Sequence, residues 1–245
     1  MSTGELSFVH GASTEPLMYL TVGNLLDRTA ERYGEREALV VRHQGVRWSY
    51  AELKDRVDAF AAGLLALGLE PGSRIGIWSP NCAEWVVAQF ATAKAGLVLV
   101  NINPAYRLSE LEYALNKVGC TALITAKQFK SNDYLSMLRT LAPELAHCAA
   151  GALAAAKLPA LRCVIAIDQD AHAGMYRFDD VAGFATDASR AALSALAPQL
   201  QPDDPINIQF TSGTTGMPKG ATLTHFNIVN NGWFVGRAMR FSAHD

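Results

Sequence analysis

A chain of 245 residues, 50% hydrophobic and 18% charged, carries too much apolar side chain and too few charges for a disordered segment or a solvated linker. It is long enough to close a core without a disulfide or metal staple. A formal net charge of -2 provides no basic field, which argues against nucleic acid and anionic membrane surfaces as partners.

The first twenty residues hold Glu5, His10 and Glu15 and lack a basic stretch followed by an apolar one, so no secretory signal is expected. Residues 21–33 place Val22, Leu25, Leu26, Thr29, Ala30 and Tyr33 at helical spacing, and Gly34 ends the pattern. Two β-rich runs, 38–41 and 46–48, flank Gln44-Gly45 and predict a hairpin. Ser49 with Glu52 forms a capping-box pattern that opens a helix to about Leu67, with Gly68 where a left-handed residue is wanted. The apolar runs at 74–78 and 97–102 predict strands. Between them lie a turn at Pro80-Asn81 and a helix over 83–95 closed by Gly96. The longest apolar stretch, 85–93, is interrupted by Gln89 and bounded by Lys94, so no transmembrane segment is expected.

Ser109 with Glu112 predicts a second capping box, opening a helix to Val118 that Gly119 ends, and 122–125 is the next strand. Alternation of strand and helix at this spacing specifies an α/β fold: a doubly wound, mostly parallel sheet with flanking helices. The alanine-rich stretch 142–157 reads as a helical connection or a surface insertion. A strand at 162–167, a helix at 187–196 and a turn at 201–205 follow. A strand at 206–210 then leads into the segment richest in chemistry.

That segment is Phe210-Thr211-Ser212-Gly213-Thr214-Thr215-Gly216-Met217-Pro218-Lys219-Gly220. Gly213, Gly216 and Gly220 let successive amide N–H groups converge on one anion. The hydroxyls of Thr211, Ser212, Thr214 and Thr215 add donors, and Lys219 adds a compact positive charge suited to phosphate oxygens. The spacing is not GxxxxGK[ST], because Gly220 follows the lysine, and a β-type run at 221–224 comes next instead of a helix. A pyrophosphate or triphosphate cradle between two strands is the chemistry this composition serves.

The same string closely resembles the phosphate-binding signature of the adenylate-forming superfamily, the AMP-binding enzymes that include acyl-CoA synthetases, luciferases and peptide-synthetase adenylation domains. Upstream, Trp48-Ser49-Tyr50-Ala51-Glu52-Leu53, Ala93-Lys94-Ala95-Gly96 and Asn103-Pro104-Ala105-Tyr106 resemble the family's N-terminal half. Asn103 to Tyr106 with Glu110-Leu111-Glu112-Tyr113, and Asp204-Pro205-Ile206-Asn207-Ile208-Gln209, are most similar to the medium-chain fatty acyl-CoA synthetase branch.

The resemblance implies a fatty acid–CoA ligase with ATP, Mg2+ and coenzyme A as its reagents. Residues 1–245 would then form the N-terminal part of the AMP-binding domain, with the rest of that domain and a small C-terminal domain beyond them. It also implies that Thr211, Ser212, Gly213, Thr214, Thr215, Gly216, Lys219 and Gly220 hold the ATP phosphates, with Lys219 acting in catalysis. Two other readings stay open: a phosphate-binding module without chemistry, and adenylation of another carboxylic acid for a carrier protein.

Other residues take plainer roles. Val57, Phe60, Ala61, Leu64 and Leu65, like Trp78, Trp85 and Phe90, are read as core. Asp179-Asp180 and Asp203-Asp204 are caps or turns, and no metal site is assigned to them. His225 is read as a helix-start residue, and Asn227, Asn230 and Asn231 receive no role. Cys82, Cys120, Cys148 and Cys163 have no ligand spacing and are expected to be reduced, buried thiols of a cytoplasmic protein.

Overall fold

The computed structural model describes residues 14–211 and 218–242. Helix α1 (Val22–Tyr33) starts where Thr21 Oγ1 accepts from the Asn24 amide at 3.1 Å. A hairpin of β1 (Glu37–Val41) and β2 (Val46–Ser49) follows. The capping box forms as the sequence predicts. Ser49 Oγ accepts from the Glu52 amide at 3.2 Å, and Glu52 reaches back to the Ser49 amide at 2.8 Å, opening α2 (Tyr50–Ala66).

The central sheet begins with β3 (Arg74–Trp78), crosses through α3 (Ala83–Lys94) to β4 (Val98–Asn101), and returns through α4 (Leu108–Val118) to β5 (Cys120–Ala126). Next come the short ladder of β6 (Gln128–Phe129) and β7 (Asn132–Asp133), helix α5 (Tyr134–Leu141), and strands β8 (Cys163–Ile167) and β9 (Tyr176–Arg177). Helices α6 (Phe178–Val181) and α7 (Asp187–Leu196) carry the chain back to β10 (Pro205–Phe210), β11 (Gly220–Thr224) and α8 (His225–Ala238). The spatial order is β11-β10-β4-β3-β5-β8-β9, with every neighbouring pair parallel except β10 with β11.

Helices cover both faces, so the strands read as continuous apolar runs whose alternate residues enter two cores. Ile75, Ile77, Leu99, Ile124 and Ile165 pack with Val57, Phe60 and Leu64 of α2 on one face. Trp78, Val100, Leu123 and Val164 pack with Leu111, Leu115 and Leu138 of α4 and α5 on the other. The doubly wound reading therefore holds, and Val57, Phe60, Ala61, Leu64 and Trp78 are core. Leu65, Trp85 and Phe90 are partly buried against that core.

Three expectations need correction. The Ser109–Glu112 box does not form: α4 starts at Leu108, and Glu110 accepts from the Arg107 amide at 2.9 Å instead. Ser109 already lies in the first turn, so its hydroxyl is not at the cap position. Residues 142–157 are not a helical connection, and they lie only partly on the surface. After a short 3-10 turn at Pro143–Ala146 the backbone is irregular, yet Leu145, Leu153, Ala155 and Leu158 are buried in the second core. Of its alanines only Ala142 and Ala155 are buried there, while Ala146, Ala149, Ala152, Ala154 and Ala156 are exposed. Finally, only Cys120 and Cys163 are buried, while Cys82 and Cys148 are half-buried, all four being free thiols. Burial pushes the Cys120 and Cys163 thiols up to about 12.

Residues 127–141 carry no expectation from the sequence. They form the β6–β7 ladder and α5, which Asp133 caps through the Ser136 amide at 2.9 Å. Among the described residues no helix is long and apolar enough to cross a membrane.

Candidate active site

Because β10 runs parallel to β4, its carboxyl end lies with those of β3, β4, β5 and β8, the edge at which open α/β sheets bind ligands. The hydroxyl-, glycine- and lysine-rich segment leaves the sheet at that edge and returns as β11. Its neck is well defined. Phe210 pairs with Gly220, and the Thr211 amide donates to the Lys219 carbonyl at 2.9 Å. The Thr211 hydroxyl approaches the same carbonyl at 3.4 Å.

A Cβ on Gly220 would stand 3.0 Å from Ile208 Cγ2, so the absence of a side chain there lets the two strands close. Thr211 and Lys219 are exposed, and among the described residues Lys219 has no ion-pair partner. Ser212, Gly213, Thr214, Thr215 and Gly216 lie outside the described residues, so the structure places three of the eight expected phosphate contacts: Thr211, Lys219 and Gly220.

Two neighbouring elements frame the hairpin. From α4, the Tyr113 hydroxyl donates to the Pro218 carbonyl at 3.2 Å, and its ring lies 6.5 Å from that of Phe210. Beside Tyr113 is an open cleft of about 510 Å³ lined by Ser109, Glu112, Tyr113, Asn116 and Lys117. The loop between β4 and α4 is braced internally, Asn103 Oδ1 accepting from the Ala105 amide at 2.9 Å, and from α5 by the Tyr134 hydroxyl, which donates to Pro104 at 2.6 Å. Sequence reasoning missed Tyr113 as a partner of the segment. A helical tyrosine 105 residues away in sequence has no local signature.

His225 belongs to the opposite edge. It follows β11, which returns antiparallel to β10, so it stands beside Asp204 and Pro205, about 17 Å of strand from the segment. It is fully buried, and its Nδ1 accepts from the Val22 amide at 3.0 Å. Burial lowers its pKa to about 4, so it is a neutral acceptor joining α8 to α1. Asn230, also buried, receives the Met18 amide at 2.8 Å and donates to the Met18 carbonyl at 2.9 Å. Asn227 completes the cap of α8 with Thr224.

The paired acids are occupied as caps and ties. Asp180 pairs with Arg177, Asp179 accepts from Gln169, Asp203 accepts from Tyr19, and Asp204 accepts from the Gln201 amide. Among the described residues no three His, Cys, Asp or Glu side chains converge on a point. These residues therefore do not fit a protein-ligated magnesium ion. The exposed hydroxyl of Thr211 and the ammonium of Lys219, unpaired among the described residues, do fit phosphate oxygens. A second cavity, about 340 Å³ among α1, α2 and α7, is filled on one side by Lys94 paired with Asp27 and Asp58 and lies apart from this chemistry.

Residues 26–245 match the family model described as AMP-binding enzyme. The chain is 47% identical over 237 residues to the mouse medium-chain acyl-CoA ligase ACSF2, mitochondrial, and 48% identical over 237 residues to the human one. Each match covers 97% of this chain and 38% of the relative, so the chain spans well under half the length of these curated relatives. Among solved structures, a long-chain-fatty-acid-CoA ligase (FadD1) from Archaeoglobus fulgidus superposes with a TM-score of 0.74 at 22% identity. That match covers 97% of this chain and 43% of the other and establishes likeness of fold.

Proposed function

This chain belongs to the AMP-binding enzyme family, and from that premise we propose that residues 1–245 are the N-terminal part of the adenylating domain of a fatty acid–CoA ligase. The observation that carries the reading is the placement of Thr211 just after β10 and of Lys219 just before β11, at the carboxyl edge of the parallel sheet, with Lys219 exposed and unpaired among the described residues. The share of the relatives' length and the exposed apolar side chains of α8, Trp233, Phe234 and Val235, support a larger domain around it. The cytoplasm is kept as the proposed location, in keeping with free thiols at all four cysteines.

In the proposed reaction an oxygen of the fatty carboxylate attacks the α-phosphorus of ATP. The bond from that phosphorus to the bridging oxygen breaks, and pyrophosphate leaves with the bonding electrons. The thiol of coenzyme A then displaces AMP from the acyl-adenylate. Charge grows on the leaving pyrophosphate, and preorganised donors that meet it there lower the barrier. We assign this work to Lys219 and to the hydroxyls of Thr211, Ser212, Thr214 and Thr215, with Gly213, Gly216 and Gly220 permitting close approach.

The test is carboxylate-dependent exchange of labelled pyrophosphate into ATP by the whole protein, followed by thioester formation with straight-chain acids. Each added methylene contributes about 0.8 kcal/mol in an apolar pocket, so kcat/KM climbs with chain length until the pocket is full. Exchange driven best by an amino acid would overturn the substrate assignment. Phosphate binding without exchange would favour a module without chemistry.

A further inference from the structure

The side chain of Lys219 is exposed and has no ion-pair partner among the described residues, so what this part of the chain fixes is the point and the Cα–Cβ direction from which it starts. Two peptide planes flank Lys219. The one that follows it carries the Lys219 carbonyl, which accepts from the Thr211 amide at 2.9 Å. The one that precedes it carries the Pro218 carbonyl, which accepts from the Tyr113 hydroxyl at 3.2 Å. With both planes held, the Cα–Cβ direction of Lys219 is determined.

The two holds differ in origin. The first is local to the hairpin and comes with the ladder itself. The second is tertiary: Tyr113 sits on α4, whose Leu111, Ala114 and Leu115 are buried in the second core. The end of the same helix also borders the hairpin, since a Cβ on Gly220 would lie 3.9 Å from Val118 Cγ1. The fixed φ of Pro218 removes one of the rotations by which that plane could move away from the Tyr113 hydroxyl.

We propose that Tyr113 is a positioning residue for Lys219, transmitting the rigidity of α4 and its core to the cation that meets the leaving pyrophosphate. The inference rests on the phosphate-binding reading of residues 211–220. A hydrogen bond that aims a cation at charge present only in the transition state affects the chemical step more than ground-state binding.

The experiment is a double-mutant cycle of Tyr113→Phe and Lys219→Ala in the whole protein, read by carboxylate-dependent pyrophosphate exchange, with KM for ATP and the thermal midpoint measured alongside. Tyr113→Phe keeps the ring and removes only the donor. The expected result is a kcat about tenfold lower with KM for ATP changed less than about twofold and the midpoint nearly unmoved. In the Lys219→Ala background the same substitution should have no further effect, because the group it aims is gone.

Equal effects of Tyr113→Phe in both backgrounds, or an unchanged kcat, would overturn the positioning role. If Lys219→Ala cripples exchange while Tyr113→Phe does not, the inference fails and the phosphate-binding reading stands. If Lys219→Ala itself leaves exchange unchanged, both fail together.

Discussion

The two ends of the β10–β11 hairpin are built on opposite principles. At the carboxyl edge of the sheet Thr211 and Lys219 are exposed, and the neck is closed by backbone groups and one tyrosine hydroxyl. At the amino edge His225 and Asn230 are buried and hydrogen-bond, through Nδ1 of His225 and the side-chain amide of Asn230, to the backbone of residues 22 and 18, more than 200 positions earlier in the chain. The exposed end leaves the Lys219 ammonium without an ion-pair partner among the described residues. The buried end uses similar chemistry to lock the first helix onto the last. Substitutions should therefore separate, changing rate at one end and stability at the other.

The largest expected effect is at the exposed end. Lys219→Ala in the whole protein should lower the adenylation rate about a hundredfold or more, with a thermal midpoint close to wild type. The readout is pyrophosphate release at saturating ATP and fatty acid. A large fall in midpoint would mean that Lys219 is structural and would break the contrast.

Acid sensitivity should come from the buried end. The folded pKa of His225 is about 4 against an ordinary value of 6.5, so the unfolded state takes up a proton that the folded state refuses. The stabilisation is present above pH 6.5 and is lost as pH falls through about 4, amounting to up to about 3 kcal/mol. His225→Gln, which keeps an acceptor for the Val22 amide, should flatten that part of the stability–pH curve. Identical curves for the two proteins would remove His225 from the account.

Asn230→Ala leaves the Met18 amide and carbonyl without their partner and should destabilise by about 2 kcal/mol in denaturant unfolding, with kcat per folded molecule unchanged. The smallest effect is expected at Gly220, where a methyl group would press on Ile208 Cγ2 at 3.0 Å. Gly220→Ala should cost about 1 kcal/mol and shift rate and stability together, since it lies in the neck itself. A pure rate effect there would show that the neck belongs wholly to the exposed end.

Much of this was legible beforehand wherever the signal is local. The Ser49–Glu52 box and the 187–196 helix depend on neighbours a few residues apart, and both form as their patterns predict. So does the turn into β10, because Gln201 and Asp204 hydrogen-bond within four residues. The helix-start reading of His225 also holds, although its bond to Val22 spans 203 positions and has no pattern to betray it. Residues 142–157 misled because alanine favours helix by intrinsic propensity, while here Leu145, Leu153 and Leu158 are drawn into the second core and override it. The Ser109–Glu112 spacing misled because the helix already starts at Leu108, which puts Glu110 at the third helical position, from where it reaches back to the Arg107 amide.

The sequence by itself determined the strand–helix alternation, the parallel sheet it requires and the set of hydroxyl, glycine and lysine residues offered at 211–220, because periodicity, caps and residue chemistry act over a few positions. Tertiary structure alone decided that β10 inserts beside β4, that Tyr113 reaches Pro218, and that His225 and Asn230 clasp the start of the chain. Those are contacts between segments about 100 to 200 residues apart. They are selected by packing two cores against one sheet, a collective balance of burial and hydrogen bonding that no local stretch of sequence contains.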